Sequence, residues 1–140
     1  PCVIKRLRGC GAGCEYVAIT PDGDIYPCHQ FVGKEEYRMG NVYDGSFNMD
    51  ISGTFANQNI YTRPACQKCW ARFYCSGGCS ASNLLVNGDI TKSNEVACEM
   101  ERKRLECAIA LNAIAAGMGE KGNTEGNNTS CNQCEDCASC

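Results

Sequence analysis

Fourteen of the 140 residues are cysteine, and their spacing is where chemistry could lie. Cys66, Cys69, Cys75 and Cys79 form C-x2-C-x5-C-x3-C, and Cys131, Cys134, Cys137 and Cys140 form C-x2-C-x2-C-x2-C. That density marks either a disulfide scaffold or a metal-dependent chain. Disulfide frameworks suit small secreted domains, whereas short clustered spacings suit metals in an intracellular chain. Thiolates two residues apart converge easily on one centre, so a metal is the better reading. Zinc favours paired C-x2-C knuckles or Cys/His mixtures around one tetrahedral ion. His29 is the only histidine, so nearly every ligand must be thiolate, and the x5 and x3 gaps make no second knuckle. Iron–sulfur clusters accept a short run of thiolates plus a remote one. Iron–sulfur therefore leads, with structural zinc as its rival and a secreted, fully paired disulfide protein as a third class.

The elements around these residues must bring distant cysteines together. Glu15 to Thr20 is β-branched and aromatic enough for a strand, Thr20-Pro21-Asp22-Gly23 has the composition of a type I turn, and Asp24-Ile25-Tyr26 returns. This hairpin predicts Cys10 and Cys14, before its first strand, close to Cys28 after its second. Residues 33–65 are mixed, with a short helix expected over Ser52–Tyr61. Phe31, Tyr37, Phe47, Phe55 and Tyr61 are candidate core. Ser93 or Asn94 is placed to cap a helix reaching Ala116, with Gly117 as its stop. On it Glu99 and Lys103 form an i,i+4 pair, and Val96, Met100, Cys107, Leu111 and Ile114 fall on one stripe. Cys98 lies on the opposite side with Leu105 and Ile109. Cys98 and Cys107 are roughly 180° apart around the helix and about 13.5 Å apart along it, so they cannot share a centre; Cys107 reads as a small buried apolar residue. Residues 117–130 are rich in Gly and Asn, a flexible linker leading to the four-cysteine tail of 131–140. The fold class is thus α+β: a small Cys-rich domain with a hairpin, two cysteine-bearing loops and a C-terminal helix.

Composition removes several functions. Thirteen Lys and Arg against sixteen Asp and Glu give a net charge of −3, the wrong balance for a binder of nucleic-acid phosphates. No apolar run approaches the roughly 18 residues needed to span a bilayer. Neither an initiator Met nor a signal peptide opens the sequence, so Pro1 reads as a cut end, with basic residues 1–8 (Lys5, Arg6, Arg8) as the end of a linker. A cytoplasmic location is expected.

The order Cys10…Gly23-x4-Cys28, then Cys66-x2-Cys69-x5-Cys75-x3-Cys79, then a lone Cys98, resembles the SPASM domain over about residues 9–116. That domain is the auxiliary iron–sulfur region of many radical S-adenosylmethionine (SAM) enzymes that modify peptides. Twelve residues separate Cys10 from Gly23, within the family's range; Cys14, with eight, falls outside it. Gly11-Ala12-Gly13, Tyr26-Pro27-Cys28-His29-Gln30-Phe31, Met39-Gly40-Asn41-Val42, Cys75-Ser76-Gly77-Gly78-Cys79 and Cys98-Glu99-Met100-Glu101 further resemble the thioether-forming maturases of Cys-rich SCIFF peptides.

The resemblance implies two [4Fe-4S] clusters with crossed ligands. Cys66, Cys69, Cys75 and Cys98 would hold cluster II. Cys79 would cross over to join Cys10 and Cys28 on cluster I, with Cys14 as the fourth ligand at rest, able to yield to a substrate thiolate. One run then staples both clusters, in place of a hydrophobic core that a short chain struggles to build. Cys2 and Cys107 are left over, and the tail cysteines, spaced like a ferredoxin run, stand outside the pattern as an extra cluster or a tail without function. The motif that cleaves SAM is C-x3-C-x2-C. Cys10-x3-Cys14 and Cys75-x3-Cys79 begin it but neither continues, so the catalytic barrel, with SAM and a third [4Fe-4S] cluster, is expected upstream of Pro1.

The function implied by this resemblance is a supporting one. The substrate would be a ribosomally made Cys-rich peptide in which a thioether is formed. The auxiliary clusters would bind its thiolate or relay electrons, with ferredoxin or flavodoxin as donor. A stand-alone zinc or iron–sulfur module without catalysis is the alternative. Among neighbouring residues, His29 reads as a surface histidine, Trp70 and Tyr74 as shields of cluster II, and Arg63 and Arg72 as solvated. Gly77-Gly78 reads as a place where backbone passes close to a cluster.

Overall fold

The turn at Thr20–Gly23 closes as its residues predict. The Gly23 N–H donates to the Thr20 carbonyl at 2.9 Å, and the Asp24 N–H donates to the Thr20 hydroxyl at 3.1 Å. Strands β1 (Ala18–Ile19) and β2 (Asp24–Tyr26) flank it. The first strand is shorter than the sequence suggests, because Tyr16 is drawn into the cysteine loop. Its N–H donates to the Gly11 carbonyl, and its own carbonyl accepts from Gly13. The computed structural model describes residues 7–119. Cys2, residues 120–130 of the Gly/Asn linker and the four tail cysteines lie outside the described residues.

The hairpin is half of a larger sheet. Strands β3 (Gly40–Asn41) and β4 (Ser46–Phe47) extend it to an antiparallel meander in the order β1-β2-β3-β4. These strands are too short to show period-2 alternation, and polar side chains fix their pairing instead. Asp24 sits opposite Asn41; its carboxylate accepts from Asn41 Nδ2 at 2.8 Å and is paired with Arg38.

Beyond the sheet the chain is helical: α1 (Met49–Ala56), α2 (Pro64–Gln67), α3 (Arg72–Cys75), α4 (Ser80–Asn87) and α5 (Glu95–Gly119). Helix α1 starts before the expected Ser52, because the Asn48 side chain caps it by accepting from the Asp50 and Ile51 N–H groups. It also ends before Tyr61; Asn59 and Thr62 close a turn beyond it through their side chains. Helix α5 begins as the sequence predicts, with the Asn94 side chain accepting from the Ala97 N–H at 3.2 Å. Gly117 does not stop it; the helix continues through Gly119.

The core is an aromatic triangle. Phe31 meets Tyr37 at 4.8 Å and Phe55 at 5.2 Å between ring centroids, edge to face. Tyr26, Cys28, Ala81 and Ile90 close around it. Phe47 and Tyr61, expected in the core, are exposed, since β4 is an edge strand and Tyr61 lies in a surface turn. On α5 the stripe of Val96, Met100, Leu111 and Ile114 faces outward, and Cys107, expected to be buried, is an exposed thiol. The buried side of α5 is the one carrying Leu105 and the half-buried Cys98. Glu99 does not pair with Lys103; ion pairs at i,i+3 spacing join Glu101 to Arg104 and Lys103 to Glu106.

Candidate functional site

Eight of the described cysteines divide four and four between two cavities. Cys10, Cys14, Cys28 and Cys79 line the first, of about 40 Å³, enough for a few waters. Cys66, Cys69, Cys75 and Cys98 line the second, of about 880 Å³. A third space of about 230 Å³ shares Cys79 with the first and Cys75 and Cys98 with the second. The ninth described cysteine, Cys107, borders none of them. All nine are free thiols. Among the described residues no three His, Cys, Asp or Glu side chains stand close enough together for a single metal ion.

The first cavity is assembled by the cysteine loop and the sheet. The Gly11 carbonyl accepts from the N–H groups of Cys14, Glu15 and Tyr16, curling residues 11–16 into one tight turn. Gly13 anchors that turn to the residue after β2, donating to the Pro27 carbonyl at 3.0 Å, and to α1, where the buried Ser52 hydroxyl donates to the Gly13 carbonyl at 2.7 Å. Gly13 has φ +80, and a Cβ there would stand 2.9 Å from Phe55, so only glycine fits the place. Cys14 itself is exposed; its thiol donates to the Gly11 carbonyl at 3.4 Å and accepts from Arg8 Nη1 at 3.6 Å. Cys28 is the buried member. Burial pushes its thiol up, the N–H groups of Gln30 and Phe31 pull it back, and Cys79 and Cys10 raise it as neighbouring acids.

Short helices present the second set. Pro64 at the first position of α2 is preorganised for a helix start, and the Arg63 carbonyl accepts from the Cys66 N–H at 3.0 Å. Cys69 and Cys75 come next, the latter closing α3. Cys98 comes from α5, whose start is tied to α4: the buried Asn83 accepts from the Asn94 N–H at 3.0 Å, and Asn94 donates to Ser82. Burial raises the thiols of both Cys75 and Cys98, and each is raised further by others of its set. The N–H groups of Gly77 and Gly78 act the other way on Cys75, as donors aimed at a sulfur that is to carry negative charge.

Between Cys75 and Cys79 the backbone is left-handed at three successive residues, Ser76, Gly77 and Gly78, with φ 59, 87 and 76. This bridge turns Cys79 toward the first cavity while Cys75 faces the second. The neighbour of Gly77 is the Arg63 stem: a Cβ on Gly77 would stand 3.6 Å from its Cδ and Nε, an ordinary contact, and one on Gly78 would meet nothing within 4 Å.

Other neighbours differ from expectation. Arg63 is not solvated but 3% exposed. Its Nη1 donates to the Thr91 carbonyl and its Nη2 to the Ser80 hydroxyl, both at 3.3 Å. Arg72 is half-buried over the Phe73 ring and donates to the Gln67 carbonyl. Trp70 and Tyr74 are exposed and line none of the three cavities, so they shield neither thiol set. His29 is on the surface. Arg8, Arg63 and Ser80 on the wall of the first cavity had no signal in the sequence, since isolated basic and hydroxyl residues read as solvated by default.

Residues 10–70 match the SPASM family, an iron-sulfur cluster-binding domain. Cys10, Cys14, Cys28, Cys66 and Cys69 fall inside that match; Cys75, Cys79 and Cys98 lie beyond it. The chain is also similar to an uncharacterized protein of Archaeoglobus fulgidus, 28% identical over 113 residues that make up 79% of this chain and 26% of the relative. A second relative is the antilisterial bacteriocin subtilosin biosynthesis protein AlbA of Bacillus subtilis, 30% identical over 66 residues, 47% of this chain and 12% of AlbA. The chain therefore spans about a quarter and about an eighth of these relatives' lengths. Among the described residues no helix is long and apolar enough to cross a membrane.

Proposed function

We propose that this chain is the auxiliary cluster region of a radical SAM enzyme that matures a ribosomally made peptide. Cys10, Cys14, Cys28 and Cys79 hold one [4Fe-4S] cluster and Cys66, Cys69, Cys75 and Cys98 hold a second. The observation that carries this reading is the four-and-four division of eight thiols over two cavities. The match to an iron-sulfur cluster-binding domain supports the metal, and the similarity to a bacteriocin biosynthesis protein supports the peptide. The SAM-cleaving site, with its own cluster, lies in this reading in an upstream barrel outside the sequence, since neither C-x3-C begun here continues to a third cysteine. The segments that resemble the SCIFF-peptide maturases, Tyr26–Phe31 and Cys75–Cys79 among them, extend the proposal to thioether formation in a Cys-rich peptide, with a ferredoxin or flavodoxin as electron donor.

Such clusters supply one-electron transfer when bound. The protein's own part is to deliver thiolates, to direct N–H groups at them and to limit water. It does so unequally. In the first set Cys10, Cys14 and Cys79 are exposed and only Cys28 is buried, so whatever binds there is reachable from solvent. In the second set Cys66 is buried and the other three are half-buried. Accessibility suits the first set to a substrate thiol and enclosure suits the second to electron relay. Cys14, held by long thiol contacts to the Gly11 and Ala12 carbonyls and faced by Arg8, is the ligand placed to yield.

The test is metal analysis of the chain after anaerobic reconstitution with iron and sulfide. Two four-iron clusters predict about eight irons and eight acid-labile sulfides per body of the chain. Stoichiometric zinc without labile sulfide would overturn the reading in favour of a structural zinc module.

A further inference from the structure

Arg63 is buried without a carboxylate. Among the described residues the ion pairs involve Arg8, Arg38, Lys103 and Arg104, and no acid stands within bridging distance of Arg63. The one carboxylate that acts on it, Asp89, does so only through space while accepting from Thr91. A guanidinium taken out of water with two neutral acceptors at 3.3 Å is poorly compensated. Burial accordingly works against its charge, and the groups that favour it are Cys66, Asp89, Cys98 and Cys75, three of them thiols of the second set.

Its position is also unusual. The Arg63 side chain is on the wall of the first cavity, whereas its backbone carbonyl receives the Cys66 N–H of the second set. Of its two terminal nitrogens, one reaches Ser80, which borders the first cavity beside Cys79. The other reaches Thr91, which borders the second. The Gly77 bridge packs against its stem.

We propose that Arg63 is a positioning residue common to both centres, the buried counter-charge of two anionic thiolate-bound clusters that holds their reduction potentials up together. The inference rests on the functional reading above. A cluster bound by four thiolates is anionic, and a one-electron reduction makes it more so. A fixed cation in a low-dielectric interior stabilises the reduced form more than the oxidised one, and so raises the potential. Because the same guanidinium touches the walls of both cavities, one substitution should move both potentials, which no ligand substitution would do.

The experiment compares the reconstituted wild-type chain with Arg63→Gln and Arg63→Lys, each titrated anaerobically with dithionite and followed by absorbance and electron paramagnetic resonance. Each centre takes up one electron from the titrant. Arg63→Gln, which keeps polarity but removes charge, is expected to shift both midpoints to more negative values, and Arg63→Lys to restore most of the shift. A fully loaded Arg63→Gln protein with wild-type midpoints overturns the inference. If Arg63→Gln retains no cluster, Arg63→Lys decides. Wild-type iron content in the lysine variant supports a charge role, and equal loss in both shows that guanidinium geometry, not charge, is what matters, which overturns it. A wild-type chain that takes up no iron overturns the functional reading and this inference with it, so iron content and midpoint separate the two failures.

Discussion

Gly13 shows how much of the first centre rests on one backbone position. It is left-handed, closed in by Phe55, and tied to both Pro27 and α1 by hydrogen bonds. Gly13→Ala must relieve both the φ strain and the contact, at about 1–3 kcal/mol. The expected outcome is a lower urea midpoint and a loss of iron from the Cys10/Cys14/Cys28/Cys79 set, with the second set's signal retained. Equal loss from both sets would show that Gly13 serves the whole fold rather than the loop. At this scale the sequence was informative about cysteines and silent about their neighbours. Thiol spacing singled out the cysteines, and the grouping that the family resemblance implies is the one in which eight of them line the two cavities. Arg63 was not legible, because nothing local distinguishes a buried arginine from a solvated one; its burial depends on Ser80 and Thr91, distant in sequence.

Among the elements, the sheet carries a charge-dependent joint. The Asp24 carboxyl is held below its ordinary value by the Asn41 amide first and by Arg38 second. A group with a depressed folded pKa adds stability that is fully present above its unfolded value, near 3.9, and is lost as pH falls through the folded value. Wild type should therefore lose its advantage over Asp24→Asn as the pH is lowered from 7 toward 3, read from thermal melts of both proteins. A difference between them that does not change with pH would sink this account. Chain turns and caps were readable here: the Pro21–Gly23 turn, strand β2 and the Asn94 cap all have local chemical causes. Strands β3 and β4 and helix α4 were not, because two-residue strands have no periodicity to read, and α4 has no side-chain cap at Cys79. Cys107 on the α5 stripe misled for another reason. Periodicity shows that a helix has faces, but which face is buried depends on what packs there, and that is the side of Leu105 and Cys98.

For the molecule as a whole, the segment from Cys66 to Cys79 lines both cavities, while Cys28 after β2 lines only the first and α5 only the second. Cys69→Ala should therefore lower the iron content from about eight to about four, with the first centre's spectrum preserved, if each cluster holds four irons. Retention of eight irons would remove Cys69 from the ligand set. The α+β class could be read in advance because hairpin and terminal helix are both locally encoded. The way the two halves meet could not, because it depends on Asn83 reaching Asn94 and on Arg63 reaching Thr91 and Ser80.

The three left-handed residues 76–78 have a consequence for how such a chain can change over generations. Ser76, Gly77 and Gly78 are the shortest covalent path between the two thiol sets, and all of their rotation is spent on sending Cys75 one way and Cys79 the other. An inserted or deleted residue there would misdirect one thiol of each set in a single event, whereas the exposed tip of the β3–β4 hairpin at residues 42–45 can lengthen without touching either. At this bridge the two thiol sets are therefore coupled in length, and the far edge of the sheet is not.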